Sequence, residues 1–211
     1  MNFKKAFSYI FEDPEWFSKI LPPMLCGLIP IIGQMVASGY AMAAMANIVN
    51  GKERPLPRLD FGADLGRGFK YAVVAFVYGI PLSLVNLVIV FPVMRALGDS
   101  GSSPEVLRMI LVTVLSLFDL LLAVLIQLVL YPAQANLAVK GTLSAGFDFK
   151  HIFSMLRKNF GAWLLAILGV LVAGLLAPLG VIACIIGVLV TMMIASLVAS
   201  HFIAQAYAKT Q

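Results

Sequence analysis

Apolar positions along this chain form long blocks that short polar stretches interrupt. The longest block, Val106 to Lys140, carries only Arg108 and Asp119 as formal charges before its terminal lysine. It predicts a helix of roughly 50 Å against a bilayer hydrocarbon core of about 30 Å, so the helix must tilt or protrude. Its last turns, Tyr131-Pro132-Ala133-Gln134-Ala135-Asn136, are polar enough to be the protruding part. Phe17 to Ile29 is too short for a comfortable span, and Pro22, Pro23 and Pro30 weaken its helical bonding. Ile31 to Asn50 comes next, then Tyr71 to Val93, which Gly79 and Pro81 interrupt. A fifth block runs from Phe160 to a turn at Ala177-Pro178-Leu179-Gly180, and a sixth from Val181 to about Lys209. The pattern predicts an all-α membrane protein with six transmembrane helices, the first short and irregular.

Three weaker segments have helical rather than continuous apolar spacing. Asn2-Phe3 begins one with Phe7, Ile10 and Phe11 on the same face. Asp60-Phe61 begins another that reaches Lys70. Asp148-Phe149 begins a third, with Ile152, Phe153 and Leu156 on one face and Lys150, Arg157 and Lys158 beside it. Each starts with a residue able to cap a helix, and each reads as an amphipathic helix on the membrane surface, followed by an outward span, a turn and an inward span. The expectation is a single integral-membrane domain, 1–211, with a threefold internal repeat of surface helix plus hairpin over 2–50, 60–140 and 148–209. The middle copy is the weakest, because Gly62, Gly66 and Gly68 disfavour a helix. Small residues recur every fourth position at Gly33, Ala37 and Ala41, and at Ala195 and Ala199 beside Ser196 and Ser200. Such seams allow close helix packing.

Composition agrees with a membrane setting: 61% of the 211 residues are hydrophobic and 12% charged, with mean hydropathy +0.98. The net charge of +5 bears on topology rather than on nucleic acid, since basic loops resist translocation. With both termini cytoplasmic, Arg95 and Arg108 alone lie on the far side, and the other 13 of the 15 Lys and Arg lie on or near the cytoplasmic side. Cys26 and Cys184 fall inside apolar runs and have no metal or redox spacing, so no disulfide is expected. Glu12-Asp13-Pro14-Glu15 interrupts the N-terminal apolar stretch too early for a cleavable signal peptide.

Asp119 is the acidic residue deep in a span, where it needs a partner. Gln127 on its own helix, and Tyr78 and Asn86 on the preceding span, are candidates for an intramembrane polar site with it. It reads either as a proton or cation site or as a hydrogen-bonded residue that fixes helix packing, the second being favoured. Lys4, Lys5, Lys150, Arg157 and Lys158 are candidate lipid-surface contacts, able to attract anionic headgroups. His201, near Ser200 and Gln205, reads as a structural hydrogen-bonding residue. His151 reads as solvated. No catalytic constellation, metal motif or cofactor motif is visible, and Gly62 to Gly68 lacks the features of a phosphate loop. No enzyme, cofactor or nucleic-acid partner is expected, and oligomeric state does not follow from the pattern.

At Asp13-Pro14-Glu15-Trp16-Phe17, Leu28-Ile29-Pro30-Ile31-Ile32-Gly33-Gln34, Gly39-Tyr40 and Asn47 to Pro57 the chain resembles the prokaryotic membrane family known as domain of unknown function 4013. The resemblance implies a bacterial or archaeal cell-membrane protein of this architecture and implies no activity. Two function classes remain open: small-solute or ion transport, and a non-catalytic membrane scaffold for assembly or lipid contact. A cavity reaching Asp119 would favour the first, a tightly packed centre the second.

Overall fold

A computed structural model of the protein describes residues 1–99, 105–176, 180 and 184–211. These are helical, with no strand among the described residues: α1 Phe3–Ser8, α2 Trp16–Cys26, α3 Ile32–Val49, α4 Phe61–Val85, α5 Phe91–Asp99, α6 Glu105–Lys140, α7 Phe149–Lys158, α8 Phe160–Gly174 and α9 Cys184–Ala208. A π-helical turn, Asn86–Val90, joins α4 to α5, and a 3₁₀ turn, Leu143–Phe147, leads into α7. The turn expected at Ala177 to Gly180 lies largely outside the described residues.

The expected caps form. Asn2 Oδ1 accepts from the N–H of Lys5 at 3.0 Å, Asp60 Oδ1 from Ala63 at 3.1 Å and Asp148 Oδ1 from His151 at 3.1 Å. Beyond the caps the three segments diverge. Asp13-Pro14 separates α1 from α2, and Asn159 turns the chain between α7 and α8, which meet at 95°. Asn159 also caps α8, accepting from Ala162 at 3.1 Å. No such residue stands between Lys70 and Tyr71, so the middle amphipathic segment is not a separate surface helix. It is the first turns of α4, which continues without a break into the adjoining span. α4 also passes through Gly79 and Pro81, and its irregular turn comes later, at Asn86–Val90.

Among the described residues, four helical segments are long and apolar enough to cross a membrane: Ile32–Val49, Phe61–Leu97, Glu105–Lys140 and Gly187–Ala208, with a fifth if α7 and α8 form one broken span. The 11 residues of α2 extend only about 16 Å, half a hydrocarbon core. A γ-turn of the rare hand carries α2 into α3: Ile32 donates to Pro30 O at 2.7 Å and Ile31 sits at φ 64°, a strained position for a β-branched residue.

α3, α6 and α9 touch one another at the centre. Around them α2 lies against α3 and α9, α4 against α6 and α3, and α8 against α9 and α6. The closest crossing joins α3 to α4. A Cβ on Gly39 would strike the Asp64 carbonyl, and one on Gly68 the Met35 carbonyl, so this approach depends on both glycines. It is offset from the Gly33–Ala37–Ala41 stripe, whose Gly33 instead faces the Cys26 carbonyl of its own hairpin. Side chains of α3 then secure the polar loop below: Tyr40 donates to Pro57 O at 3.0 Å and Asn47 to Pro55 O at 2.9 Å. The motif residues Asn47, Pro55 and Pro57 thus have a structural task.

The polar end of α6, expected to protrude from the bilayer, is its buried part, with Pro132 to Leu137 inside the protein body. Its apolar outer two-thirds stand away from the body alongside α4, and Val106, Met109, Leu117 and Leu121 remain exposed. Of the polar residues here, Asn136 hydrogen-bonds inside the bundle and Tyr131 and Gln134 line an internal space, whereas an apolar exposed surface is what lipid accepts.

Candidate functional site

The four residues expected to form one intramembrane site are divided among three places. Asn86 Nδ2 donates to Asp119 Oδ1 at 2.7 Å and to Leu82 O at 3.0 Å. This pair links α6 to the π-helical turn, in the outer part of the hairpin, with Asp119 half-buried. Tyr78 points elsewhere. Its hydroxyl donates to Gly146 O at 3.1 Å and its ring stacks on Phe147, interplanar angle 1°. Gln127 lies two turns inward of Asp119 and lines a different feature, a cavity of about 280 Å³ inside the body.

That cavity is built from one or two turns of each of several helices. α3 supplies Ser38 and Ala41, α4 supplies Tyr71, α6 supplies Gln127, Tyr131 and Gln134, α8 supplies Val170, and α9 supplies Ser196, Ala199, Ser200 and Ile203. Tyr71 is ten residues into α4 from Phe61 and Ser200 eight from the end of α9, so the site lies roughly 12–15 Å along each helix from the face of the termini. Gln127, Tyr131 and Gln134 are spaced four and three apart, which aligns them on one side of α6. Among the described residues, none of the seven polar side chains finds a hydrogen-bond partner, and the Gln127 Oε1 is sealed from solvent without one. Buried polar groups are ordinarily paired, because leaving one unmade costs about 1–3 kcal/mol. That cost falls on the Gln127 Oε1, while the other six side chains keep polar atoms open to the space, so the set offers hydrogen-bonding positions to water or a ligand.

The chemistry of the set is neutral. Two carboxamides offer donors and acceptors together, and two phenols and three hydroxyls can each do either. Among the described residues, no Asp, Glu, Lys, Arg or His lines the space. This lining neither neutralises an ion nor transfers a proton as an acid–base pair, whereas an uncharged molecule with hydroxyl, amide or carbonyl groups would find complementary partners. Among the described residues, no group of three His, Cys, Asp or Glu could hold a metal ion.

The amide nine residues along α6 from Gln127 behaves differently. Asn136 is fully buried, donates to Ala145 O at 2.8 Å and accepts from the Tyr207 hydroxyl at 3.3 Å. It fastens α6 to α9 and to the 3₁₀ turn that succeeds α6.

His201 is held as the sequence suggests, through Gln205. The Gln205 amide oxygen accepts from the N–H of Asn2 at 2.7 Å, and its Nε2 donates to Asn2 O at 3.1 Å and lies 2.8 Å from His201 Nδ1. Because Gln205 Nε2 is a donor, Nδ1 accepts and the ring proton belongs on Nε2. The imidazole packs 4.7 Å from the Tyr9 ring. Ser200, its neighbour in sequence, faces the cavity instead. His151 is not freely solvated, since its Nε2 is buried without a partner.

The basic surface residues Lys4, Lys5, Lys150, Arg157 and Lys158 are exposed. Lys5 lies 3.8 Å from Glu12, and Lys158 donates to the Thr210 and Gln211 carbonyls at 3.2 and 3.3 Å. The expected apolar face of α7 is split. Ile152, Met155 and Leu156 enter the core, while Phe149 and Phe153 remain outside beside Lys150 and Arg157.

Against known proteins, the family model described as "Protein of unknown function (DUF4013)" matches residues 24–199, which includes the cavity-lining residues other than Ser200 and Ile203. No curated protein and no solved structure matches the chain.

Proposed function

The chain belongs to that family of unknown function, and within it we propose a multi-pass protein of a prokaryotic cell membrane that binds and conducts a small uncharged polar solute. The observation that carries this reading is the cavity of about 280 Å³ with its seven unpaired polar side chains. A tightly packed scaffold would have filled that space with apolar atoms or joined those groups to each other, since either arrangement is more stable. At roughly 30 Å³ per water the space holds about nine waters or one solute of modest size. Gln127 and Gln134 would bind through their amides, and Tyr71 and Tyr131 through their hydroxyls. Asp119 belongs to the hairpin and has no direct part in this binding.

The proposal includes six passes, both termini in the cytoplasm, and three repeats of surface segment plus hairpin. Two observations support the repeat. The three capping residues make the same bond to the residue three positions on. The packing is also cyclic: the outer helix of each unit, α2, α4 or α8, lies against its own inner helix and the inner helix of the unit before it, counting the third as preceding the first. On this reading the solute site lies between repeats, with three inner helices around an axis, as in membrane transporters built from repeats.

The test uses full-length protein in liposomes, with urea and glycerol as probes and stopped-flow light scattering as the readout. Urea or glycerol should equilibrate faster than in protein-free vesicles, and Gln127→Leu should remove the gain. Permeability equal to that of empty vesicles for both probes would refute the conducting role and leave the scaffold reading in its place.

A further inference from the structure

The central cavity has a neighbour. A second space, about 150 Å³, lies between the α2–α3 turn and α9 and is lined by Gln34, Met192 and Met193 among others. Its wall includes Ser38 and Ser196, which are also walls of the central cavity. Along α3 the order is Gln34, Ser38, Ala41; along α9 it is Met192, Ser196, Ser200. Both helices therefore pass from the outer space to the inner one through a serine, on one continuous side of each helix.

Toward the termini the arrangement is closed. Met42, Met45, Ile203, Ala204 and Tyr207 are all at most 2% exposed and belong to one apolar cluster. The Tyr207–Asn136–Ala145 hydrogen bonds fasten the same level. Sealed toward the termini and bordered by the second space on its other side, the cavity has the form of a one-sided binding site.

Resting on the conducting role proposed above, we propose that the solute reaches the cavity from the end away from the termini, and that Ser38 and Ser196 form its selectivity constriction. Two hydroxyls can replace water around an uncharged solute that donates or accepts hydrogen bonds. Two neutral hydroxyls replace only a small part of the hydration shell an ion would lose, so the constriction selects against charge. The arrangement also assigns the state: open away from the termini, closed toward them.

The test is cysteine accessibility in full-length protein with Cys26 and Cys184 replaced by alanine. Ser38→Cys and Ser196→Cys should react with a small, charged, membrane-impermeant thiol reagent supplied on the side away from the termini, and not from the side of the termini. Lys52→Cys, exposed near the termini, marks that side, and Ala204→Cys should react from neither. Reaction of the Ser196→Cys thiol should also block urea movement. Labelling of either serine position from the terminal side, or of neither from any side, overturns the route. If both serine positions label as expected but wild-type vesicles pass no solute, the route stands as access to a binding site and the conducting role falls. If solute moves while labelling fails, conduction stands and this route falls.

Discussion

Replacing Gln127 and Asn136 in turn by leucine separates a polar group kept for binding from one kept for folding. Both are amides on the inner half of α6. Asn136→Leu removes two buried hydrogen bonds and strands the Ala145 carbonyl and the Tyr207 hydroxyl. At about 1–3 kcal/mol for each orphaned group, it should destabilise the protein by about 2–5 kcal/mol. Gln127→Leu strands nothing, because Gln127 bonds no described protein group, and it removes a sealed acceptor that already has no partner. It should stabilise by about 1 kcal/mol, and by less where cavity water supplies the missing bond. Thermal unfolding in detergent measures the contrast. At about 2–4 °C per kcal/mol for a chain of this size, the variants should separate by roughly 4–24 °C, with Gln127→Leu at or above wild type. A fall for Gln127→Leu as large as that for Asn136→Leu would refute the reasoning, since it would mean the cavity amide also holds the fold.

Other perturbations act on single contacts. Gly39→Ala and Gly68→Ala should each cost about 2 kcal/mol or more, because the opposing atoms are backbone carbonyls, whereas Gly66→Ala, which meets open space, should gain up to about 1 kcal/mol of helix propensity; chemical denaturation of the three variants distinguishes them. Asp119→Asn, which can still accept from Asn86, should melt close to wild type, while Asp119→Leu should lower stability by about 1–2 kcal/mol in the same assay. Burial works to raise the Asp13 carboxyl, but the 2.6 Å hydrogen bond from Lys19, the Glu15 N–H and the charges of Lys19 and Arg54 outweigh it and hold it below its ordinary 3.8. A lowered folded value stabilises the fold above pH 3.8 and loses that contribution as pH falls through it, so the melting gap between wild type and Asp13→Asn should be full at neutral pH and close only below 3.8; a gap that closes near neutrality would contradict the pairing.

Much of the helical plan was legible because it depends on local signals. Asn2, Asp60 and Asp148 announce helix starts through cap chemistry that involves only the next three residues. The fate of the segment after Asp60 was harder to read, since the outer segments are set apart by positive breakers, Asp13-Pro14 and Asn159. The middle one differs only in lacking such a breaker. Its glycines suggested weakness by propensity, yet Gly68 is used for close packing against α3, a tertiary demand that outweighs a helix-propensity cost of about 1 kcal/mol. For α6, hydropathy identified the helix and its bounds correctly, but not that its polar end packs inside the protein body. Polar residues predict exposure only when water is the alternative environment; within a membrane bundle, Gln134 and Asn136 go inward because lipid cannot hydrogen-bond them.

The same asymmetry explains why Asp119 is conspicuous in the sequence and the cavity is not. One charge in an apolar run stands out by itself, and its partner Asn86 could be named from the opposing helix. The cavity has no conspicuous member. Each helix contributes one to four residues, and Ser38, Ser196 and Ser200 read equally well as small residues that let helices approach. A distinguishing trace is present on α6, where Gln127, Tyr131 and Gln134 recur at spacings of four and three in an otherwise apolar stretch. A polar stripe on a membrane helix must face protein, water or a ligand. The serine pair Ser196 and Ser200 gives a shorter stripe of the same kind, and the two stripes meet at one space. What sequence spacing could not supply is the convergence of the helices, and with it the difference between Gln127, whose amide finds no partner, and Asn136, whose amide finds two.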